Sequence, residues 1–130
     1  MSPRIFIVDD EAPARARLTM LLSDIADECP HEIVGEADQA QLAIDRIAAL
    51  QPDIVLLDVQ MPGMNGIELA AQLKALMTHA PAIIFVTAFD EYALKAFDVH
   101  AFDYLLKPVR AARLAEAMRR VSALRQGGTN

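Results

Sequence analysis

The chain has a single cysteine, Cys29, among its 130 residues, which excludes an intrachain disulfide as a source of stability. Nothing basic adjoins Cys29 to lower its pKa, so a structural or surface thiol is expected. No apolar run approaches the roughly 20 residues that a membrane-spanning helix needs. The run Arg4-Ile5-Phe6-Ile7-Val8 is too short for the apolar region of a signal peptide plus a cleavage site. The expected compartment is therefore the cytoplasm, with no membrane association. Positive charge is also scarce. The formal net charge is −6, and such a surface repels phosphate, which argues against direct binding to nucleic acid. Internal repeats and low-complexity segments are missing. What the chain does have is apolar content, 54% of its residues, enough at this length to fill one domain without a structural metal.

The apolar residues fall into alternating patterns. Ile5-Phe6-Ile7-Val8 is a continuous β-branched-rich run, as expected of a strand buried on both faces. Leu18, Leu21, Leu22 and Ile25 then follow helical spacing, with Pro13 suited to that helix's first turn. Ile33 to Ala37 reads as a second strand, and Ala43, Ile44, Ile47 and Ala48 as a helical stripe. Asp53 to Leu57 is a third strand, followed by a Pro- and Gly-containing turn from Met61 to Gly66 and a helix lined by Ile67, Ala70, Leu73 and Met77. Ala82 to Val86 is a fourth strand, with a short helix expected from Tyr92 to Phe97. Ala101 to Leu105 is a fifth strand, and Leu114, Ala117, Met118 and Val121 line the last helix. Strands alternating with helices imply an α/β fold with a parallel sheet covered on both faces. Periodicity alone leaves the strand order open.

Ligands in such sheets bind beyond the carboxyl ends of the strands. At those ends stand Asp9, Asp10 and Glu11 after the first strand, Asp58 after the third, Thr87 after the fourth, and Lys107-Pro108 after the fifth. Each has a plain alternative when taken singly: an aspartate or threonine there can cap a turn, and a lysine can be a solvated charge. Their joint placement favours a site. Converging carboxylates need a cation or must protonate. Oxygen donors with no histidine nearby select a hard ion, Mg²⁺ or Mn²⁺. A lysine and a hydroxyl on the same edge supply a charge and a donor for phosphoryl oxygens, which together describes metal-assisted phosphoryl transfer to a carboxylate. His31, His79 and His100 are isolated and expected on the surface. Arg119, Arg120 and Arg125, late in the last helix, are expected to complement its dipole.

These residues resemble the receiver domain of bacterial two-component response regulators over essentially the whole chain. The matching pieces are Ile-Val-Asp9-Asp10-Glu11, the stretch from Asp53 through Asp58 to Pro62-Gly63-Met-Asn-Gly66, Val86-Thr87-Ala88 and Tyr104-Leu-Leu-Lys107-Pro108. The resemblance implies a flavodoxin-like doubly wound sheet of five parallel strands in the order 2-1-3-4-5 with five helices. It implies Asp58 as phosphoacceptor. Asp10, Asp58 and the backbone carbonyl of Gln60 would be Mg²⁺ ligands, and Asp9 would hold the metal's water shell. Lys107 would contact Asp58 and then the phosphoryl oxygens. Thr87 would move toward the phosphoryl group, Tyr104 would rotate in response, and Ala88 would leave access to the acyl phosphate. The Lys107–Pro108 peptide would be cis.

The implied partners are a histidine kinase and a second copy of the chain, the latter through the fourth helix, fifth strand and fifth helix. A finer resemblance, in Thr87-Ala-Phe-Asp-Glu-Tyr92-Ala-Leu-Lys-Ala-Phe97 and Ala101-Phe-Asp-Tyr104, is to receivers of the LytTR-type, alginate-regulator-like group. DNA would then be reached only through a downstream domain that these residues do not contain. The expected organisation is a receiver domain over 1–125 and a linker start or disordered tail over 126–130.

Three other readings bear on the same residues. An aspartate-based phosphohydrolase would want a second acid two residues after the nucleophile, where this chain has Gln60. A flavin-binding module would want a neutral phosphate cradle where Asp9-Asp10-Glu11 stands. A degenerate receiver used only for protein contacts would not need the full acidic set and Lys107. Gln60 and Phe89 flank the site and are candidates to tune hydrolysis.

Overall fold

The chain folds around its apolar runs. The computed structural model describes residues 2–128, with side chains as far as Leu124. Its elements are β1 (Arg4–Val8), α1 (Ala12–Asp24), β2 (Glu32–Ala37), α2 (Ala40–Leu50), β3 (Ile54–Leu57), α3 (Gly66–Leu76), β4 (Ala82–Thr87), α4 (Ala93–Asp98), β5 (Asp103–Leu106) and α5 (Ala111–Gly128). The strands are parallel and ordered β2-β1-β3-β4-β5, the flavodoxin-like arrangement.

Side chains alternate across the sheet, and so build two cores. Ile5, Ile7, Ile54, Leu56, Ile84 and Val86 face α1 and α5, meeting Leu18, Leu22, Leu114 and Met118. Phe6, Val8, Val55, Leu57, Ile83 and Phe85 face the other way, toward α2, α3 and α4. This double burial is why β1, β3 and β4 read as unbroken apolar runs. Cys29 is buried in the first core, its Sγ 3.8 Å from the Ala115 carbonyl, so the thiol is structural. No helix among the described residues is long and apolar enough to cross a membrane.

The element ends carry local causes. Pro13 sits in the first turn of α1, as its spacing predicts. The fifth strand starts later than Ala101, because the Ala101 N–H still closes the end of α4 by bonding the Ala96 carbonyl at 3.0 Å, with His100 at φ 59°. Of the expected tail over 126–130, α5 carries residues as far as Gly128, and 129–130 lie outside the described residues.

The arginines of α5 do more than complement a dipole. Arg113 grips Asp103 with both nitrogens, at 2.8 and 3.1 Å, and Arg120 adds a bond of 3.0 Å to the same carboxylate. Arg119 pairs with Glu28 at 3.3 Å. The Arg125 side chain lies outside the described ones. Asp103 opens β5, so this cluster pins the edge strand to α5. Burial opposes ionisation of Asp103, but bonds from Arg113 and the Tyr104 N–H, with the charges of Arg113 and Arg120, outweigh it and hold the carboxyl below its ordinary range.

A depressed acid stabilises the fold above its unfolded pKa and loses that contribution as pH falls through the folded value. Asp103→Asn is therefore expected to cost about 1 kcal/mol at neutral pH, a figure discounted for partial solvent screening. Urea titrations of both chains should converge in acid below about pH 4, the ordinary aspartate range. An equal gap at both ends of the pH range would contradict the ionic origin.

Candidate functional site

The carboxyl ends of β1, β3, β4 and β5 meet on one edge of the sheet, since β1 and β3 are neighbours and β4 separates β3 from β5. Asp9 follows β1, with its N–H bonded to the Ala37 carbonyl at 3.2 Å and its Oδ1 accepting from the Glu11 N–H at 2.9 Å. Asp58 follows β3; its N–H bonds the Val8 carbonyl at 3.0 Å, and its Oδ1 accepts from the Gln60 N–H at 3.2 Å. Asp9 is 1% exposed and Asp58 5%, both unusual for carboxylates without a partner. Asp10 is exposed at the rim.

Lys107 supplies the partner. Its Nζ lies 2.8 Å from Asp9 Oδ2 and 3.2 Å from Asp58 Oδ2, reaching across the end of β4. Its N–H anchors that reach by bonding the Thr87 carbonyl at 2.8 Å, and its peptide to Pro108 is cis. Burial works against the lysine's charge, but the bond to Asp9 and the charges of Asp58 and Asp9 hold its pKa above the ordinary value. Asp58 is pushed up, first by burial; Lys107 pulls it back and Asp9 pushes it up again. The shorter contact goes to Asp9, so Asp58 is left the less compensated of the two.

Asp9, Asp10 and Asp58 each offer a carboxylate oxygen, and these lie within 4.8 Å of one another. Three carboxylates against one ammonium leave two negative charges, the complement of a divalent ion. All donors are hard oxygens, and the spread is wide enough for an ion that keeps some of its water, so the set fits Mg²⁺ chemistry.

Thr87 is wholly buried; its Oγ1 accepts from the Phe89 N–H at 3.4 Å. Ala88 is exposed beside it. The half-buried Tyr104 packs on Phe85, with ring centroids 6.1 Å apart, and donates its hydroxyl hydrogen to the Phe89 carbonyl. Thus Phe89 is held at both of its backbone groups, by Thr87 at its N–H and by Tyr104 at its carbonyl. Asp9, Asp10, Asp58, Thr87 and Lys107, read from the sequence as strand-end residues, lie on this one edge.

Three further residues support the site in roles that the sequence did not assign them. Arg15 of α1 donates from Nη1 to the Asp9 carbonyl at 2.8 Å while its Nε pairs with Glu36 at 2.7 Å, which braces the acidic loop. Tyr92 accepts from Gln60 Nε2 at 2.9 Å. Gly66, legible only as a turn glycine, carries a steric demand: a Cβ there would lie 2.1 Å from the Asp58 carbonyl oxygen and 2.9 Å from Val59 Cα. Helix α3 therefore starts in backbone contact with the loop after β3, and the Gly66 N–H bonds the Val59 carbonyl at 2.8 Å. A capping box formed by Asn65 and Glu68 fixes the same start.

Comparison with known proteins agrees with the geometry. A family model described as "Response regulator receiver domain" matches residues 5–119. A response regulatory protein of Yersinia pestis is 52% identical over 119 residues, covering 92% of this chain and 48% of that protein. The transcriptional regulatory protein BtsR of Escherichia coli K12 is 47% identical over 118 residues, 91% of this chain and 47% of BtsR. The chain thus spans about half the length of the curated relatives it matches. Among solved structures, the response regulatory domain of mrkE from Klebsiella pneumoniae superposes with a TM-score of 0.83 at 30% identity, over 93% of this chain and 96% of that one.

Gly66→Ala is expected to destabilise the chain by about 3 kcal/mol, because backbone atoms cannot yield as a side chain would. A urea midpoint within error of wild type would show that the loop adapts.

Proposed function

The chain belongs to the response regulator receiver family, and on that footing we propose that it is a phosphoryl-accepting switch whose acceptor is Asp58. The observation that carries the reading is the Lys107 ammonium set between two nearly buried carboxylates, Asp9 and Asp58, inside an acidic triad. The donor is a histidine kinase in the cytoplasm. An Asp58 oxygen bonds phosphorus as the P–N bond to the kinase histidine breaks, and the imidazole nitrogen keeps the electron pair. Asp10, Asp58 and the Gln60 carbonyl would hold Mg²⁺, with Asp9 contacting its water shell. When bound, the ion neutralises charge on the phosphoryl oxygens. The Lys107 ammonium, which reaches Asp58, would add a second positive charge for those oxygens. The domain is regulatory and transforms only its own Asp58, by phosphorylation and slow dephosphorylation.

The readout runs through Thr87 and Tyr104. Once the Thr87 hydroxyl turns to a phosphoryl oxygen, it releases the Phe89 N–H. Phe89, which Tyr104 holds by its carbonyl, is then free to move, and Tyr104 with it. The product thereby biases a two-state element, as a switch requires. The surface it changes is α4, β5 and α5, where Leu94 is 81% exposed, Phe97 79% and Leu106 48%. That apolar surface supports dimerisation with a second copy. BtsR and its namesakes are named transcriptional regulatory proteins. The likeness of Thr87 through Phe97 to LytTR-type receivers supports a downstream LytTR-type DNA-binding output.

Acetyl phosphate with Mg²⁺ should label the wild-type chain, chelation of the metal should abolish labelling, and Asp58→Asn should take up no label. Undiminished labelling of that variant would sink the assignment. Lys107→Ala should still bind Mg²⁺ but lose the dimerisation seen on beryllofluoride titration by size exclusion. A wild-type response would remove Lys107 from the switch.

A further inference from the structure

Gln60 stands two residues beyond Asp58, and its own N–H already bonds the Asp58 carboxylate. Its carboxamide does not turn to that carboxylate. Its Nε2 donates instead to the Tyr92 hydroxyl at 2.9 Å, which links the loop after β3 to the start of α4. Tyr92 is held on several sides. Its ring packs partly buried against the core beneath α3 and α4, and Phe89 meets it edge-on at 6.5 Å and 87°. The Lys95 ammonium lies 5.9 Å from the ring centroid, and the Tyr92 carbonyl accepts the Ala96 N–H in the first turn of α4 at 2.9 Å. These contacts hold the half-buried ring, and with it the hydroxyl that Gln60 meets. The exposed glutamine takes its orientation from the tyrosine.

From this geometry we infer that Tyr92 is a positioning residue that holds the Gln60 carboxamide away from the phosphorus and so prolongs the phosphorylated state. The inference rests on Asp58 being the acceptor. Loss of the phosphoryl group is a hydrolysis. A water oxygen bonds phosphorus, the P–O bond to Asp58 breaks, and the carboxylate leaves with the electron pair. One water proton stays on inorganic phosphate and the other passes to solvent. A carboxamide free beside the phosphorus is suited to orient that water, the role glutamine plays in GTP hydrolysis. Bonded to Tyr92, the Gln60 amide is committed elsewhere.

The test compares rates of label loss after acetyl phosphate and Mg²⁺ are removed. Tyr92→Phe keeps the ring and deletes only the hydroxyl. It is expected to lose label about fivefold faster, the scale of one neutral hydrogen bond. Made in a Gln60→Ala background, the same substitution should change nothing, since the hydroxyl then has no carboxamide to hold. An unchanged or slower loss in Tyr92→Phe overturns the inference. So does equal acceleration in both backgrounds, which would assign Tyr92 to the packing of α4. Failure of the acceptor reading would show differently, as label on Asp58→Asn.

Discussion

The Lys107 ammonium between Asp9 and Asp58 is the contact on which the site depends. Two carboxylates this far from solvent do not both stay ionised unless a cation is at hand. The lysine supplies part of that charge from a strand not adjacent to either of theirs. Its contacts are 2.8 and 3.2 Å, so it compensates Asp9 more than Asp58. On the proposed reading, the less compensated carboxylate is the one that meets a metal ion and an electrophilic phosphorus. A stronger pairing to Asp58 would make a better ion pair and a poorer nucleophile.

The sheet makes that contact possible. Parallel strands end on the same side, so each loop that follows them opens on one edge. Gly66 lets α3 start against the Asp58 backbone, and Arg15 braces the Asp9 carbonyl from α1. The backbone that carries the two carboxylates is thus held by neighbouring elements. At the far end of β5, Asp103 and the arginines of α5 hold the edge strand that delivers Lys107.

Around the mouth of the site, two contact paths converge on the segment from Thr87 to Tyr92. Thr87 and Tyr104 hold the Phe89 N–H and carbonyl respectively, and Gln60 meets Tyr92 from the loop after β3. The first path suits a response to the phosphoryl group. The second suits control of how long it stays. Both end in the segment that leads into α4, a helix of six residues with two large apolar side chains in solvent. A short element with so little of its own core is readily shifted by small changes at its start.

The sequence by itself determined the alternation of strands and helices, because burial on both faces demands unbroken apolar runs in β1, β3 and β4. It also determined which residues stand at the strand ends, since each follows its run directly. Asp9, Asp10, Asp58, Thr87 and Lys107 were legible for that reason. The strand order was not, because periodicity carries no information on lateral neighbours; resemblance supplied it and the structure bears it out. The Gly66 clash, the Arg15 brace, the Asp103 cluster and the Gln60–Tyr92 bond join residues from different elements, up to tens of positions apart. Such contacts depend on how the chain crosses over the sheet, and only the tertiary structure decided them.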